Sequence, residues 1–376
     1  MIAGLLHAIA WLVARLPPRW LPALGAFVGF VARVLVRYRR GHVLEAMERA
    51  GLREPRSTAR ALYRRLGEGL AELLWLGGRA KVTTGHIEVT GGHIEVTSGH
   101  IERAPEHFWA RAVPSFGARP ARGALPGPAP AEGLGLGRAT GSQCPSAIAL
   151  AERRHGAGPN VILDEAAHAI LGEAVARGPV VIFASHTGNW ELAAAAAAEA
   201  LRPLDKELFV VAKTQRVSAV DAFCMRLRSA LGVRVIAPNG AFREAMRVLA
   251  RGDVVVLPID QVPDRAAHAL TVSFLGAPAL VDRAPATLAY RAKATVLVAG
   301  TARTDEGLTV RVLDMIAPSE DRAFIAEATA RATKALEAFV RENPADWLWL
   351  HRRWKALPVA RRTGTAASLG FSENPS

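Results

Sequence analysis

The second half of the chain alternates short apolar runs with helical stretches, and this alternation constrains the fold more than any other feature. The apolar runs have the length and composition of buried strands and cover residues 180–184, 208–212, 233–237 and 254–259. The stretches between them favour helices, over residues 191–201, 218–231 and 241–251. This order is typical of a mostly parallel sheet with crossover helices.

Two more strands and a final helix complete the predicted core. Residues 295–301 and 308–313 are apolar and are joined through Asp305-Glu306-Gly307, which predicts an antiparallel hairpin. Residues 322–341 predict the last helix. The predicted fold class is therefore α/β, a mixed and mostly parallel sheet flanked by helices. We expect the turn after strand 180–184, the first predicted core strand, to carry the chemistry, because open α/β sheets place ligands at the carboxyl ends of strands.

The amino end predicts a hydrophobic helical membrane anchor over residues 1–40. The apolar stretches 1–16 and 21–36 are each shorter than the ~20 residues that a helix needs to cross a bilayer, so the anchor is embedded or spanning. Arg37, Tyr38, Arg39 and Arg40 follow directly, as expected at a cytoplasmic membrane interface. No basic region precedes the first apolar stretch, which argues against a cleavable signal peptide. A buried helical hairpin is the alternative.

Two unusual segments separate the amino end from the sheet. After an amphipathic helix predicted over 60–76, a seven-residue repeat spans 85–103, and we interpret it as a duplicated strand-like unit. An odd period sends His86, His93 and His100 to alternating strand faces, and zinc-like spacing is absent, so we predict no metal site. Residues 104–160 are rich in Pro, Gly, Ala and Arg and predict a flexible insertion. The predicted organisation is anchor 1–40, helical segment and repeat 41–103, insertion 104–160, core 161–355 and disordered tail 356–376.

Composition restricts the possible partners. The formal charge is +13, and 41 of the 47 cationic residues are arginine. Coding bias of a GC-rich genome and a preference for anionic partners explain this excess equally well. Nucleic acid is disfavoured as a partner, since the chain has no zinc-finger spacing, RNP-like stretch or concentrated basic run. Cys144 and Cys224 form no CxxC motif, so we expect neither a disulfide scaffold nor a metal site.

The turn SHTGNWE, residues 185–191, contains a histidine and a carboxylate that suit acid–base chemistry. A neutral imidazole is the usual general base near pH 7, and a carboxylate can fix its tautomer. His186 and Glu191 form such a dyad only if the turn at Gly188 and Asn189 folds the chain back, because a spacing of five does not share a helix face. No serine or cysteine nucleophile and no GxSxG motif accompany them, which favours direct attack by an acceptor hydroxyl on an activated acyl group. A histidine with only a structural role is the alternative.

Four motifs together resemble one enzyme family. They are SHTGNWE at 185–191, PIDQ at 258–261, VSFLGAPA at 272–279 and DWLWLHRRWK at 346–355. The chain resembles the late acyltransferases of lipid A biosynthesis, the lauroyl and myristoyl transferases of the lysophospholipid acyltransferase superfamily. The resemblance implies a membrane enzyme on the cytoplasmic face of the bacterial inner membrane. It implies transfer of a fatty acyl chain from acyl carrier protein or CoA to a hydroxyl of a lipid A precursor, with no metal or other cofactor.

The resemblance also assigns roles to single residues. It implies that His186 is the general base and that Glu191 orients it. It implies six substrate-binding positions, namely Asn189, Trp190, Lys213, Arg228, Asp260 and Gln261. Lys213 stands where the family usually has an arginine, so phosphate recognition there lacks the bidentate guanidinium. Packing is the alternative role for Trp190, and a solvated helix face is the alternative for Arg228.

The carboxyl-terminal motif and the identity of the acceptor leave alternatives open. The tryptophans of DWLWLHRRWK, with His351, Arg352, Arg353 and Lys355, form an aromatic and basic cluster that suits the membrane interface, or packing with anion contact. The acceptor is a lipid A precursor, another glycolipid such as a phosphatidylinositol mannoside, or a lysophospholipid. A catalytically silent lipid-binding protein of the same fold is the alternative from a different functional class.

Overall fold

The computed structural model describes residues 2–83, 86–89, 159–263 and 268–354. Most of the seven-residue repeat lies outside the described residues, as do Lys355, the predicted tail and all but the last two residues of the predicted insertion. The described chain contains eleven strands, listed here in order: β1 (Ala80–Thr83), β2 (His86–Val89), β3 (Val161–Leu163), β4 (Val180–Ala184), β5 (Leu208–Val211), β6 (Val233–Ile236), β7 (Val254–Pro258), β8 (Ala269–Phe274), β9 (Ala277–Asp282), β10 (Thr295–Thr304) and β11 (Gly307–Ile316).

Ten α-helices accompany these strands in the described residues. They are α1 (Ile2–Val13), α2 (Leu21–Phe30), α3 (Arg40–Arg49), α4 (Pro55–Arg79), α5 (Glu165–Arg177), α6 (Trp190–Leu201), α7 (Ser218–Ala230), α8 (Ala241–Ala250), α9 (Ala284–Ala292) and α10 (Phe324–Glu342). The predicted helices and strands are confirmed to within a few residues at their ends. Sequence reasoning did not single out β3, α5, α9 or the β8–β9 hairpin.

Seven strands form one sheet in the order β3-β11-β10-β4-β7-β5-β6. The five strands from β10 to β6 are parallel to one another, and β10 and β11 form the predicted antiparallel hairpin. The α/β fold with a mixed, mostly parallel sheet is thus confirmed. One detail of the prediction is wrong, because β3 precedes β4 in the chain and pairs at the edge of the sheet with β11. β4 is a central strand, which places the turn after it in the middle of the sheet edge.

The sheet separates two hydrophobic cores. Successive side chains of a strand point to opposite faces. Val181 and Phe183 of β4 therefore pack with α8, α9, α10 and part of α4, whereas Val180 and Ile182 pack with α5, α6 and α7. Both faces of the strand are covered, which explains its uninterrupted apolar sequence.

The amino-terminal helices lie on α4 through close glycine contacts. A Cβ added to Gly67 would lie 2.0 Å from the carbonyl oxygen of Gly25, and one added to Gly29 would lie 2.2 Å from that of Tyr63. Small residues of this kind allow helix backbones to approach closely. In the part of the chain that the structure describes, no single helix is long and apolar enough to cross a membrane, although 18–35 and 40–49 pass that test together as a pair bent by 93°.

Candidate active site

The turn between β4 and α6, residues 185–189, is held by hydrogen bonds to two other segments. The amide of Gly188 donates to the carbonyl of Asp346 (2.9 Å), and the hydroxyl of Thr187 accepts from the amide of Thr301 (3.0 Å). Gly188 has a φ of +55°, and a Cβ there would lie 2.8 Å from the Thr301 carbonyl oxygen. Glycine is therefore needed for both its left-handed backbone and its lack of a side chain.

A buried carboxylate orients His186. Nδ1 of His186 lies 2.8 Å from Oδ1 of Asp260, which is fully buried. The second oxygen, Oδ2, accepts from the backbone amide of His186 (2.8 Å) and from the indole N–H of Trp347 (3.1 Å). Because Nδ1 donates its proton to the carboxylate, Nε2 carries the lone pair that can accept a proton. The arrangement suits a histidine general base with an orienting carboxylate.

Burial and the neighbouring carboxylate act on the pKa of His186 in opposite directions. Burial disfavours the imidazolium and would lower the pKa, but the charge and the hydrogen bond of Asp260 raise it, and the charge of Glu191 adds to the rise. The net result is a pKa above the ordinary value of 6.5. For Asp260, burial would raise the pKa, but the charge and hydrogen bonds of His186 hold it well below its usual range. The pair therefore favours a carboxylate beside a strong imidazole base.

Three side chains surround the remaining part of the imidazole. Nε2 of Gln261 lies 3.2 Å from Nε2 of His186. The ring of Trp190 packs edge-on at a centroid distance of 5.0 Å, and the ring of His351 packs in the same way at 4.7 Å. Burial, followed by the neighbouring charge of His186, lowers the pKa of His351 to about 4. His351 is therefore neutral near pH 7 and contacts His186 as an uncharged ring.

Glu191 pairs with Arg228. Its Oε2 accepts from Nε of Arg228 at 2.8 Å, its Oε1 accepts from Nη2 at 2.5 Å, and both side chains are only 13% exposed. Among the described residues, the carboxylate that contacts the imidazole of His186 is therefore that of Asp260, not that of Glu191 as predicted. The hydrogen bonds that Arg228 donates to Glu191 raise the pKa of Arg228. Arg228 is also largely buried rather than on a solvated helix face. The catalytic role of Glu191 stays a prediction.

Asn189 connects the turn to α4. Its Oδ1 accepts from the amide of Leu192 (3.5 Å), which caps the amino end of α6, and its Nδ2 donates to Oε2 of Glu72 (2.9 Å). The other oxygen of Glu72 accepts from Nη2 of Arg303 (2.7 Å). The remaining predicted position, Lys213, lies exposed beyond the end of β5. The substrate contacts predicted for these residues remain predictions.

The carboxyl-terminal motif packs inside the protein. Trp347 and Trp349 are fully buried, Arg353 is 2% exposed and Trp354 is 7% exposed. Nη1 of Arg353 donates to the carbonyl of Gln261 (3.1 Å), and burial lowers the pKa of Arg353 to about 10. Of the two interpretations left open by the sequence, burial therefore supports packing, and these side chains do not form a membrane-facing surface.

Two contacts of this motif were missed by sequence reasoning. Trp347 donates to the carboxylate of Asp260, and His351 packs on His186. Both residues belong to DWLWLHRRWK, where the density of tryptophan was a signal for a buried segment. The signal did not indicate which segment they would meet, because the motif lies more than 150 residues after the histidine.

An apolar cavity of about 70 Å³ lies beside the turn, between the sheet, α5 and α6. Ser185 and Trp190 line it next to His186, Ala193, Ala194 and Ala197 form its α6 wall, and Leu171 lines it from α5. Alanine leaves room along a helix face where larger side chains would fill it. The alanine-rich sequence of α6 thus has a structural consequence beside the candidate base.

Comparison with families of known proteins identifies the family of this chain. The family described as bacterial lipid A biosynthesis acyltransferase matches residues 167–356, which include the whole site. The chain belongs to this family. It is accordingly an acyltransferase, and the family implies an acyl donor and a lipid A or other glycolipid acceptor in general terms. No curated protein matches the chain.

The site of this acyltransferase contains a candidate base and, among the described residues, no evident protein nucleophile. The hydroxyl of Ser185 lies 3.0 Å from the hydroxyl of Thr187 and is buried. No group of three His, Cys, Asp or Glu side chains in the described segments is placed to hold a metal ion. The arrangement suits a single displacement in which the imidazole takes the proton of the attacking hydroxyl.

Proposed function

We propose that this acyltransferase transfers a fatty acyl chain from the thioester of acyl carrier protein or CoA to a hydroxyl of a lipid A precursor. The observation that carries the proposal is His186, whose Nδ1 is held by buried Asp260 while Nε2 can accept a proton. In the proposed step Nε2 takes the proton of the acceptor hydroxyl, and the oxygen attacks the thioester carbonyl. The carbon–sulfur bond then breaks, and the imidazolium returns the proton to the thiolate. The proton transfers use the imidazole alone, so we propose no resident cofactor.

The apolar cavity is the proposed site of the acyl chain. It begins at Ser185 and Trp190, beside the base, so a carbonyl held near His186 would direct its hydrocarbon chain between α5 and α6. Its present volume of about 70 Å³ is far below the ~300 Å³ at which ligand pockets begin. The proposal therefore includes a widening of the cavity when the chain enters.

Arg228 and Glu191 are proposed to support the anionic part of a substrate. Their bidentate pair stands next to the first turn of α6, and a phosphate approaching there could share the guanidinium and the amide groups of the helix end. Lys213 and Asn189 are also proposed to contact substrate. In this arrangement Glu191 acts through Arg228 and through its charge near His186.

The proposed location is the cytoplasmic face of a bacterial inner membrane, because the proposed acceptor is a membrane lipid. The amino-terminal helices support this proposal with large exposed apolar side chains. These include Leu5 (63% exposed), Trp11 (53%) and Phe27 (65%). Arg15, Arg19, Arg33 and Arg37 lie in the same segment, where anionic headgroups would attract them.

The test is mass spectrometry of lipids formed from a tetra-acylated lipid A precursor and dodecanoyl-carrier protein or dodecanoyl-CoA. We expect one added acyl chain with the wild-type enzyme and none with His186→Ala. Consumption of the thioester without acylation of the precursor would mean a different acceptor, such as a phosphatidylinositol mannoside or a lysophospholipid. No consumption of either donor would overturn the proposed reaction and favour a lipid-binding protein.

Two isosteric variants then decide which carboxylate orients the base. Asp260→Asn removes the charge against Nδ1, and Glu191→Gln removes the charge against Arg228. We expect Asp260→Asn to lower kcat by about 10²- to 10⁴-fold, the range of general-base catalysis. We expect Glu191→Gln to act mainly on the KM for the anionic substrate. The reverse pattern would return the orienting role to Glu191.

A further inference from the structure

The atom that must accept the proton is already occupied. Nδ1 of His186 donates to Asp260, so Nε2 carries the lone pair, and Nε2 of Gln261 lies 3.2 Å from it. Only the side-chain amide can donate in this pair, because the imidazole nitrogen has no proton left. The amide of Gln261 therefore stands where the acceptor hydroxyl would donate.

The backbone of Gln261 is fixed, so only its side chain can leave this position. Asp260, the preceding residue, is fully buried and makes three hydrogen bonds through its carboxylate. The carbonyl of Gln261 accepts from Nη1 of the buried Arg353 at 3.1 Å. Rotation of the side chain about its own torsions frees Nε2 of His186 without moving the loop.

We propose that Gln261 makes the enzyme select a lipid hydroxyl over water by occupying the lone pair of its general base. The inference rests on the proposed function. A water molecule offers His186 one hydrogen bond in place of another and brings no further binding energy. A lipid acceptor brings contacts far from the reacting atom, and this binding energy can displace the amide.

The reaction that Gln261 suppresses is hydrolysis of the donor. In that step Nε2 of His186 takes a proton from water, and the water oxygen forms a bond to the thioester carbonyl carbon. The carbon–sulfur bond breaks, and the imidazolium gives its proton to the thiolate. The products are a free fatty acid and a thiol. The transfer reaction is identical except that the lipid hydroxyl replaces water, so the two compete for one base.

Two variants remove the amide from the base in different ways. Gln261→Met keeps the length of the side chain without a donor, and Gln261→Asn keeps the amide but shortens its reach by one methylene. The full-length enzyme is assayed in detergent micelles with dodecanoyl-CoA, with and without a tetra-acylated lipid A precursor. Free dodecanoic acid and acylated lipid are both quantified by mass spectrometry, and thermal unfolding checks that each variant is folded.

Without acceptor, we expect both variants to release free fatty acid roughly two- to tenfold faster than wild type, which corresponds to one net hydrogen bond. The KM for the acceptor should fall by a similar factor, because the acceptor no longer displaces the amide. The ratio of transferred to hydrolysed acyl chains should fall. A residue that only binds substrate or only packs would instead raise the acceptor KM or leave the hydrolysis rate unchanged, and either result would overturn the proposal.

A third variant tests the hydrogen bond itself. In Gln261→Glu a carboxylate replaces the donor and accepts from a protonated imidazole, so the imidazolium is stabilised. Hydrolysis and transfer should both fall at neutral pH and recover at higher pH. An unchanged pH profile would contradict contact between residue 261 and Nε2. If wild-type enzyme consumes no thioester at all, the proposed function fails. If wild type transfers but the variants keep its ratio of transfer to hydrolysis, only the role of Gln261 fails.

Discussion

At the scale of single residues, the site depends on contacts between segments that are distant in sequence. Motif reasoning paired His186 with Glu191 because the two lie in one short turn, but the carboxylate that reaches Nδ1 is Asp260. The reason is the register of β4 and β7, which pairs Ala184 with Pro258. Both His186 and Asp260 stand two positions beyond this pair, so the strands bring them together. Asp260 was predicted as a site residue, but strand order and register were not available from one sequence.

The pH dependence of the reaction should report the contact between His186 and Asp260. His186 works as a base only when neutral, and its pKa is raised above 6.5. Activity should therefore be full above that raised pKa and decline as the pH falls through it. Asp260→Asn removes the main cause of the rise and leaves burial, which lowers the pKa, so the acidic decline should move to lower pH while the maximal rate falls.

The measurement is the pH profile of kcat/KM for dodecanoyl-CoA consumption in wild type and Asp260→Asn. Glu191→Gln is the matched control, because it removes a carboxylate that makes only a smaller contribution to the same pKa. An acidic decline that stays in place in Asp260→Asn and moves in Glu191→Gln would contradict this assignment.

At the scale of helices and strands, hydrophobic pattern predicted most of the fold. The central strands and their crossover helices were predicted because fully buried strands are continuously apolar. The β8–β9 hairpin was not predicted, although its side chains alternate between more and less exposed positions around Ser273 and Pro278, as those of half-buried strands do. α4 was predicted as amphipathic over 60–76, but its contact with α2 depends on glycines, which carry no hydrophobic signal.

The packing of α2 on α4 predicts a clear effect of one methyl group. A Cβ at Gly67 would lie 2.0 Å from a backbone oxygen of α2, and backbone cannot yield as a flexible side chain does. We expect Gly67→Ala to destabilise the protein by about 1–3 kcal/mol, the usual cost of overpacking. Gly172→Ala in α5 is the control, because no atom lies within 4 Å of its added Cβ. It should be neutral or stabilising by up to about 1 kcal/mol.

Denaturant unfolding in detergent micelles measures both free energies of unfolding. Equal effects of Gly67→Ala and Gly172→Ala would show that helix propensity alone determines the change in the free energy of unfolding. The α2–α4 contact would then be looser than its geometry indicates.

The cavity between α5 and α6 predicts how chain-length preference can be changed. Ala197→Leu fills the α6 wall and should favour shorter donors, whereas Leu171→Ala opens the α5 wall and should favour longer ones. Each methylene lost or gained from contact is worth ~0.8 kcal/mol, or about fourfold in relative kcat/KM. Competition among decanoyl-, dodecanoyl-, tetradecanoyl- and hexadecanoyl-CoA measures the preference. Loss of stability could lower every rate, but it would not shift the preference in opposite directions.

At the scale of the whole molecule, the amino-terminal helices give the protein one strongly apolar surface. Leu5, Trp11, Leu12, Phe27 and Phe30 are each at least 50% exposed, while α1 and α2 bury their small residues against α4. Exposed apolar surface of this extent marks a membrane or protein contact. The arginines of the same segment favour anionic lipid, and α4 connects this surface through Glu72 to Asn189 of the turn that carries His186. Helix α4 thus contacts both this apolar surface and the turn that carries His186.

This arrangement predicts how the protein associates with vesicles. Leu5→Glu with Phe27→Glu removes two of the most exposed apolar side chains and adds two negative charges. Burying a leucine or phenylalanine is worth about 1.5–3 kcal/mol, so binding should weaken by at least tenfold per position. Cosedimentation with vesicles of neutral lipid and of neutral lipid mixed with anionic lipid measures the partition of the protein.

Phe242→Glu is the control, since Phe242 is exposed (44%) on α8, outside the amino-terminal helices. This substitution should leave vesicle binding unchanged. Added salt should weaken the preference of wild type for anionic vesicles, because screening acts on charge and leaves apolar burial in place. Equal binding by all three proteins would mean that this surface meets another protein rather than lipid.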